Sequence, residues 1–134
     1  MAPIAHFALE PMPAEWDDPE YRSAAMEAHV FEGVAWQVRV NREERGLTQA
    51  ELAAAIGTRQ SAISRLEAPD GGDLRISTLA KVAMAFDCAL VVRLVPYSTL
   101  ASITKDLRSE RLYACAYEHD RDARASNPFE IGYE

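Results

Sequence analysis

A chain of 134 residues with 49% hydrophobic and 26% charged side chains is sized and balanced for one folded domain, or a small domain with extensions; a large multidomain enzyme and a disordered chain are both excluded. Lys81, Asp87 and Arg93 interrupt the most hydrophobic stretch, so no window reaches the roughly 18 apolar residues of a membrane span. No basic start with a following apolar run marks a secretory signal in residues 1–10, and the two distant cysteines, Cys88 and Cys115, suit a reducing cytoplasm, the expected location.

The net charge of −7 argues at first against a polyanionic partner, because phosphate contacts supply most of the affinity for one. Its distribution reverses that reading. Residues 1–35 hold one basic and seven acidic side chains, whereas residues 36–67 hold five basic and four acidic ones, so the acid lies outside the middle of the chain.

Residues 1–15, with Pro3, Pro11 and Pro13, read as an extended lead-in. Helical spacing starts after Pro19: Tyr21, Ala24, Ala25, Ala28 and Phe31 predict a buried stripe over residues 20–30, with Gly33 as an interruption. A second helix is expected over 34–45, with Val34, Ala35, Val38 and Asn41 inward, Arg39, Glu43 and Glu44 outward, and Gly46 as its stop. Thr48 with Glu51 three residues on forms a capping box that opens a third helix. Residues 67–74, with Pro69, Gly71 and Gly72, make a loop; Ser77 is expected to cap a helix running to Phe86. Residues 89–95 alternate Leu90, Val92 and Leu94 with Val91, Arg93 and Val95, a strand pattern ended by Pro96. A short helix is expected over 98–108, with Leu100, Ile103 and Leu107 inward, then a charged, mobile tail from 118.

The informative segment is residues 49–67, QAELAAAIGTRQSAISRLE. Two helices meeting at a tight angle need a small residue at their closest approach, a glycine turn and a shared apolar surface. Ala53, Gly57 and the set Leu52, Ile56, Ile63 and Leu66 meet those needs in register. On the second of these helices Gln60, Ser61, Ser64 and Arg65 share one face opposite Ile63 and Leu66. With Arg42 upstream, residues 34–86 resemble the Cro and lambda-repressor helix-turn-helix family, also called XRE. The resemblance implies a mainly helical, lambda-repressor-like bundle over 34–87, here with an added N-terminal helix in an acidic extension (1–33) and a C-terminal strand, short helix and tail (88–134).

It further implies a regulator that binds double-stranded DNA, a repressor reading a palindromic operator as a homodimer, with base readers at Gln60, Ser61 and Arg65 and Ser64 beside them. Thr48, Gln49, Thr58, Arg59 and Arg75 are expected at phosphates, Gln49 in the role the family gives a glutamine there, and Arg42 with Glu67 as a structural ion pair. Leu90, Val92 and Leu94 form the expected dimer strand, with pairing inside the chain to residues 111–117 as the alternative. The short strand and helix after the domain also look like antitoxins of the HigA type, and the acidic flanks would suit a basic ribonuclease toxin. No cofactor is expected. His6, His29 and His119 share no metal-ligand spacing with either cysteine, and no nucleophile-elbow, phosphate-loop or HExxH pattern suggests an enzyme. Trp16 and Trp36 read as packing residues, and both cysteines as buried thiols.

Overall fold

A computed structural model describes residues 12–70, 74–104 and 108–126. Eight helices follow in chain order: α1 (Pro19–Ala28), α2 (Val34–Glu44), α3 (Gln49–Ile56), α4 (Gln60–Leu66), α5 (Ile76–Ala85), α6 (Tyr97–Thr104), α7 (Ser109–Leu112) and α8 (Tyr117–Ser126). Among the described residues there is no strand, and no helix is long and apolar enough to cross a membrane.

Local chemistry sets the helix ends. The Thr48 hydroxyl accepts the Glu51 backbone N–H while the Glu51 carboxylate accepts the Thr48 N–H, both at 3.1 Å, so two otherwise orphaned donors at the start of α3 are satisfied. Three helices stop in the same way, with a left-handed residue followed by an amide that reaches back over the last turn. Gly46 (φ 66°) ends α2 with Leu47 N–H on Arg42 C=O, Gly57 (φ 72°) ends α3 with Thr58 N–H on Ala53 C=O, and Asp87 (φ 54°) ends α5 with Cys88 N–H on Ala83 C=O. Asp87 shows that the motif tolerates a short polar side chain where glycine is easiest.

The core lies where α2, α3, α4 and α5 meet. Val38, Leu52, Ala53, Ile63, Leu66, Val82 and Phe86 are buried together, with Val34, Leu47, Ile56 and Leu79 against them. Leu52 and Ile63 have no exposed surface at all, so the two arms of the α3-turn-α4 wedge are locked by side chains that meet no water.

Outside this core several expectations are corrected. Gly33 does not interrupt the N-terminal helix: it is helical (φ −66°), a wider π-type turn over His29–Gly33 joins α1 to α2, and α1 buries none of its residues. Tyr21 and Phe31, assigned to a buried stripe, are 40% and 38% exposed. Trp16 does pack, edge-on to Tyr21 at 5.2 Å and beside Tyr97 of α6, whereas Trp36 lies half in solvent with the Arg39 guanidinium 6.0 Å from its ring centroid. The strand over 89–95 is absent, since a strand exists only through a paired neighbour and this segment has none. Residues 118–126, expected within a mobile tail, are helical, in α8. Leu100 is buried as expected, Ile103 is 46% exposed, and Leu107 lies outside the described residues.

Two polar clusters tie the helices together. Arg42 donates from Nε to Glu67 Oε2 (2.7 Å), from Nη2 to Glu67 Oε1 (2.9 Å) and from Nη1 to the Leu47 carbonyl (2.7 Å), a fork that joins α2 to the end of α4. The side chains are 11% and 4% exposed, and this carboxylate holds the Arg42 pKa above its ordinary value. The second cluster docks the C-terminal segment. Asn41, buried in the apolar face of α2, donates to the Gln37 and Leu112 carbonyls and accepts the Ala114 N–H at 2.7 Å. Arg45 donates through Nη2 to both the Phe86 and Ala114 carbonyls at 2.7 Å, with its guanidinium over the Phe86 and Tyr113 rings. Tyr117 N–H then bonds the Asp87 carbonyl.

Glu67→Ala is expected to lower stability by about 3 kcal/mol, because it strands a mostly buried guanidinium, while the apolar pair Arg42→Met with Glu67→Leu recovers most of the loss; urea unfolding of the three variants measures this. Asn41→Ala is expected to cost about 1–3 kcal/mol and to deprotect the Ala114 amide in hydrogen exchange, with little change in the amides of α3 and α4.

Candidate nucleic-acid interface

The α3-turn-α4 wedge turns one face of α4 inward and the other out. Ile63 and Leu66 are buried, and Gln60, Ser61, Ser64 and Arg65 are all exposed, as a helix advancing about 100° per residue requires of these spacings. Seven residues at about 1.5 Å each make α4 roughly 10 Å long, a length that fits across a DNA major groove.

Gln60 stands at the first position of α4, and its Nε2 donates to Gln49 Oε1 at 2.7 Å. Gln49 is the first residue of α3, and its own Nε2 reaches Glu67 Oε1 at 3.3 Å. That oxygen also accepts Arg42 Nη2, so one chain of side-chain bonds runs Arg42, Glu67, Gln49, Gln60 from the interior to the exposed face. The sequence placed these four residues in three separate roles; the bonds join them. Only a distance between the two glutamines reveals it, since they lie eleven positions apart on different helices.

Exposed positive charge is present on the wedge and just before α5. Arg59, Arg65 and Arg75 are exposed and make no ion pair among the described residues, whereas Arg39 bonds Glu43 and Arg42 bonds Glu67. Thr48 and Thr58 are exposed, and Gln49 is half-buried. Arg59 is the cap of α4, because the left-handed Gly57 commits the Thr58 amide to the Ala53 carbonyl and helical bonding begins at Arg59 C=O. One cap assignment is corrected. Arg75, not Ser77, caps α5: its carbonyl accepts the Thr78 and Leu79 N–H groups, and Ser77 lies within the helix.

The cysteines flank the C-terminal docking cluster and are half-buried rather than buried; burial pushes the Cys88 thiol above its ordinary pKa. Asn41 and Arg45 are the residues whose part the sequence reading missed. The available signal was a polar residue inside an apolar helical stripe, which must find hydrogen-bond partners. Leu90, Val92 and Leu94 lie away from the wedge, in the extended segment before α6.

Comparison with known proteins gives a match to the family model described as Helix-turn-helix over residues 38–92, a span that holds α3, α4, α5 and most of α2. No curated protein and no solved structure gives a significant match. Residues 38–92 of this chain match the XRE-family helix-turn-helix model, the model of a DNA-binding regulatory domain.

Proposed function

We propose that the chain is a sequence-specific repressor that inserts α4 into the major groove of a palindromic operator and acts as a homodimer. The observation that carries this reading is the anchored glutamine at the head of an exposed polar helix face. The Gln60 amide has two hydrogens; one is committed to Gln49, which leaves the second and the side-chain oxygen for the paired donor and acceptor of an adenine edge. Arg65, without a carboxylate partner, is available to the two acceptors of guanine, and Ser61 and Ser64 lie between them. Gln49, Thr48, Thr58, Arg59 and Arg75 surround that face as phosphate contacts, which set register rather than sequence. One helix of seven residues reads few bases, so two copies on half-sites about 34 Å apart supply the specificity.

A second reading has its own support. The groove between α1 and the loop after α4, about 470 Å³, is lined by Glu27, Glu32 and Asp70 around Phe31, Ala24 and Pro69, and it suits a basic protein surface. A regulator that also neutralises a basic ribonuclease, as HigA-type antitoxins do, fits that groove. Co-expression with the product of an adjacent small basic reading frame tests this: rescue of growth supports it, and unrelieved toxicity removes it.

For the primary reading, selection from a random DNA pool is expected to return a two-fold symmetric site. Gln60→Ala and Arg65→Ala each lower affinity for that site by about 10- to 100-fold, from about 1–3 kcal/mol per lost base pairing, with far smaller losses on random DNA. Arg59→Ala weakens both by a similar factor and flattens the salt dependence. Equal losses on selected and random DNA for all three would remove the assignment of roles. Gln49→Ala is expected to behave in between, because it removes a phosphate contact and also releases Gln60.

A further inference from the structure

Cys88 and Cys115 are 27 positions apart in the chain, on two segments that the fold holds side by side. Cys88 directly follows the left-handed Asp87 that ends α5, and its N–H bonds the Ala83 carbonyl at 3.0 Å. Cys115 directly follows Ala114, whose N–H bonds Asn41 Oδ1 and whose carbonyl accepts Arg45 Nη2, both at 2.7 Å. The segments are also tied to each other. Arg45 Nη2 reaches the Phe86 and Ala114 carbonyls together, and the Tyr117 N–H bonds the Asp87 carbonyl at 2.9 Å. The carbonyl that precedes each cysteine is therefore anchored, Asp87 C=O before Cys88 and Ala114 C=O before Cys115, so the backbone carrying each thiol is fixed before any reaction.

Both side chains open into one recess. A cavity of about 570 Å³ beside the docked segment is lined by Cys88 and Cys115 together with Asp87, Tyr113 and Tyr117. Each cysteine is half-exposed, which gives a small solute access to it. The two thiols also act on each other. Burial pushes the Cys88 thiol up, the Arg45 guanidinium partly opposes that, and the charges of Asp87 and of a Cys115 thiolate push it further up. Two sulfur ligands are too few for a structural metal ion, and no group of three metal-ligating side chains occurs among the described residues. The chemistry that two neighbouring thiols support without other partners is their own oxidation.

We propose that Cys88 and Cys115 are a modification site for peroxides, closing to a reversible disulfide that fastens the Cys115 segment to the end of α5. Each thiol gives up one proton and one electron, one S–S bond forms, and the O–O bond of hydrogen peroxide breaks to leave two molecules of water. The docking that Asn41, Arg45 and the Tyr117 N–H supply through hydrogen bonds becomes covalent until a reducing thiol exchanges with the bond. A link between positions 27 apart also removes freedom from the unfolded chain, so the oxidised protein is the more stable form. The inference goes beyond the DNA-binding reading and does not rest on it, since the bond involves no atom of α3 or α4.

The test uses the full chain, prepared reduced and then exposed to a small excess of hydrogen peroxide. Mass spectrometry without reductant is expected to find a peptide pair joined at Cys88 and Cys115 and lighter by two hydrogens, in a yield that does not change on dilution; dithiothreitol restores both thiols. The oxidised chain is expected to unfold at a higher urea concentration than the reduced chain, and its Tyr117 amide to exchange at least about 10-fold more slowly. Cys88→Ser and Cys115→Ser keep the helical circular dichroism of the reduced chain, and peroxide produces neither shift in them. Two free thiols after treatment, separate sulfenic or sulfinic acids with no joined peptide, a cross-link formed only between chains, or an oxidised chain that unfolds no later than the reduced one overturns the proposal.

Discussion

The Glu67 carboxylate is the point on which the domain turns. It sits at the end of α4, almost wholly out of water, where an isolated charge would be prohibitively costly. Arg42 answers it from α2 with a two-pronged bond, and the same guanidinium caps the chain at Leu47 just before α3 begins. The ends of α2 and α4 and the start of α3 are thereby held to one small set of atoms. Because a buried ion pair offers little net stability against an apolar replacement, its value here is geometric. It fixes the angle at which α4 is presented and, through Gln49, the position of the Gln60 amide.

In this chain of net charge −7, seven acidic residues lie in 1–35 and seven in 99–134. Glu67 and Glu43 are held in ion pairs and Glu51 in the α3 cap, while Arg59, Arg65 and Arg75 are exposed and make no ion pair among the described residues. Over distances beyond the screening length of about 8–10 Å only the local balance matters to an approaching polyanion.

The second polar cluster adds a different constraint. Asn41 and Arg45 lie one turn apart on α2 and together saturate carbonyls of both α5 and the 112–114 stretch, with the Arg45 guanidinium between two rings. A satisfied polar network inside an apolar region selects one arrangement of the chain over others that would leave donors unmade. It seats the C-terminal segment on the helix-turn-helix domain.

What the sequence by itself determined was local or periodic. Thr48 and Glu51, three residues apart, set the start of α3; Gly46 and Gly57 supply the left-handed turns that few other residues adopt; and the spacing of Leu52, Ala53, Ile63 and Leu66 makes the wedge, because each of these depends on neighbours within about two helical turns. Periodicity failed where burial requires a second surface. The stripe on α1 has helical spacing but none of its residues is buried, and the alternation over 89–95 specifies two faces without naming the neighbour that would make it a strand. Only the tertiary structure decided that Gln60 bonds Gln49, that Asn41 holds Ala114 from 73 positions away, and that the Tyr117 N–H bonds the Asp87 carbonyl. Those contacts join segments whose proximity arises from the packing of the whole core, which no spacing along the chain encodes.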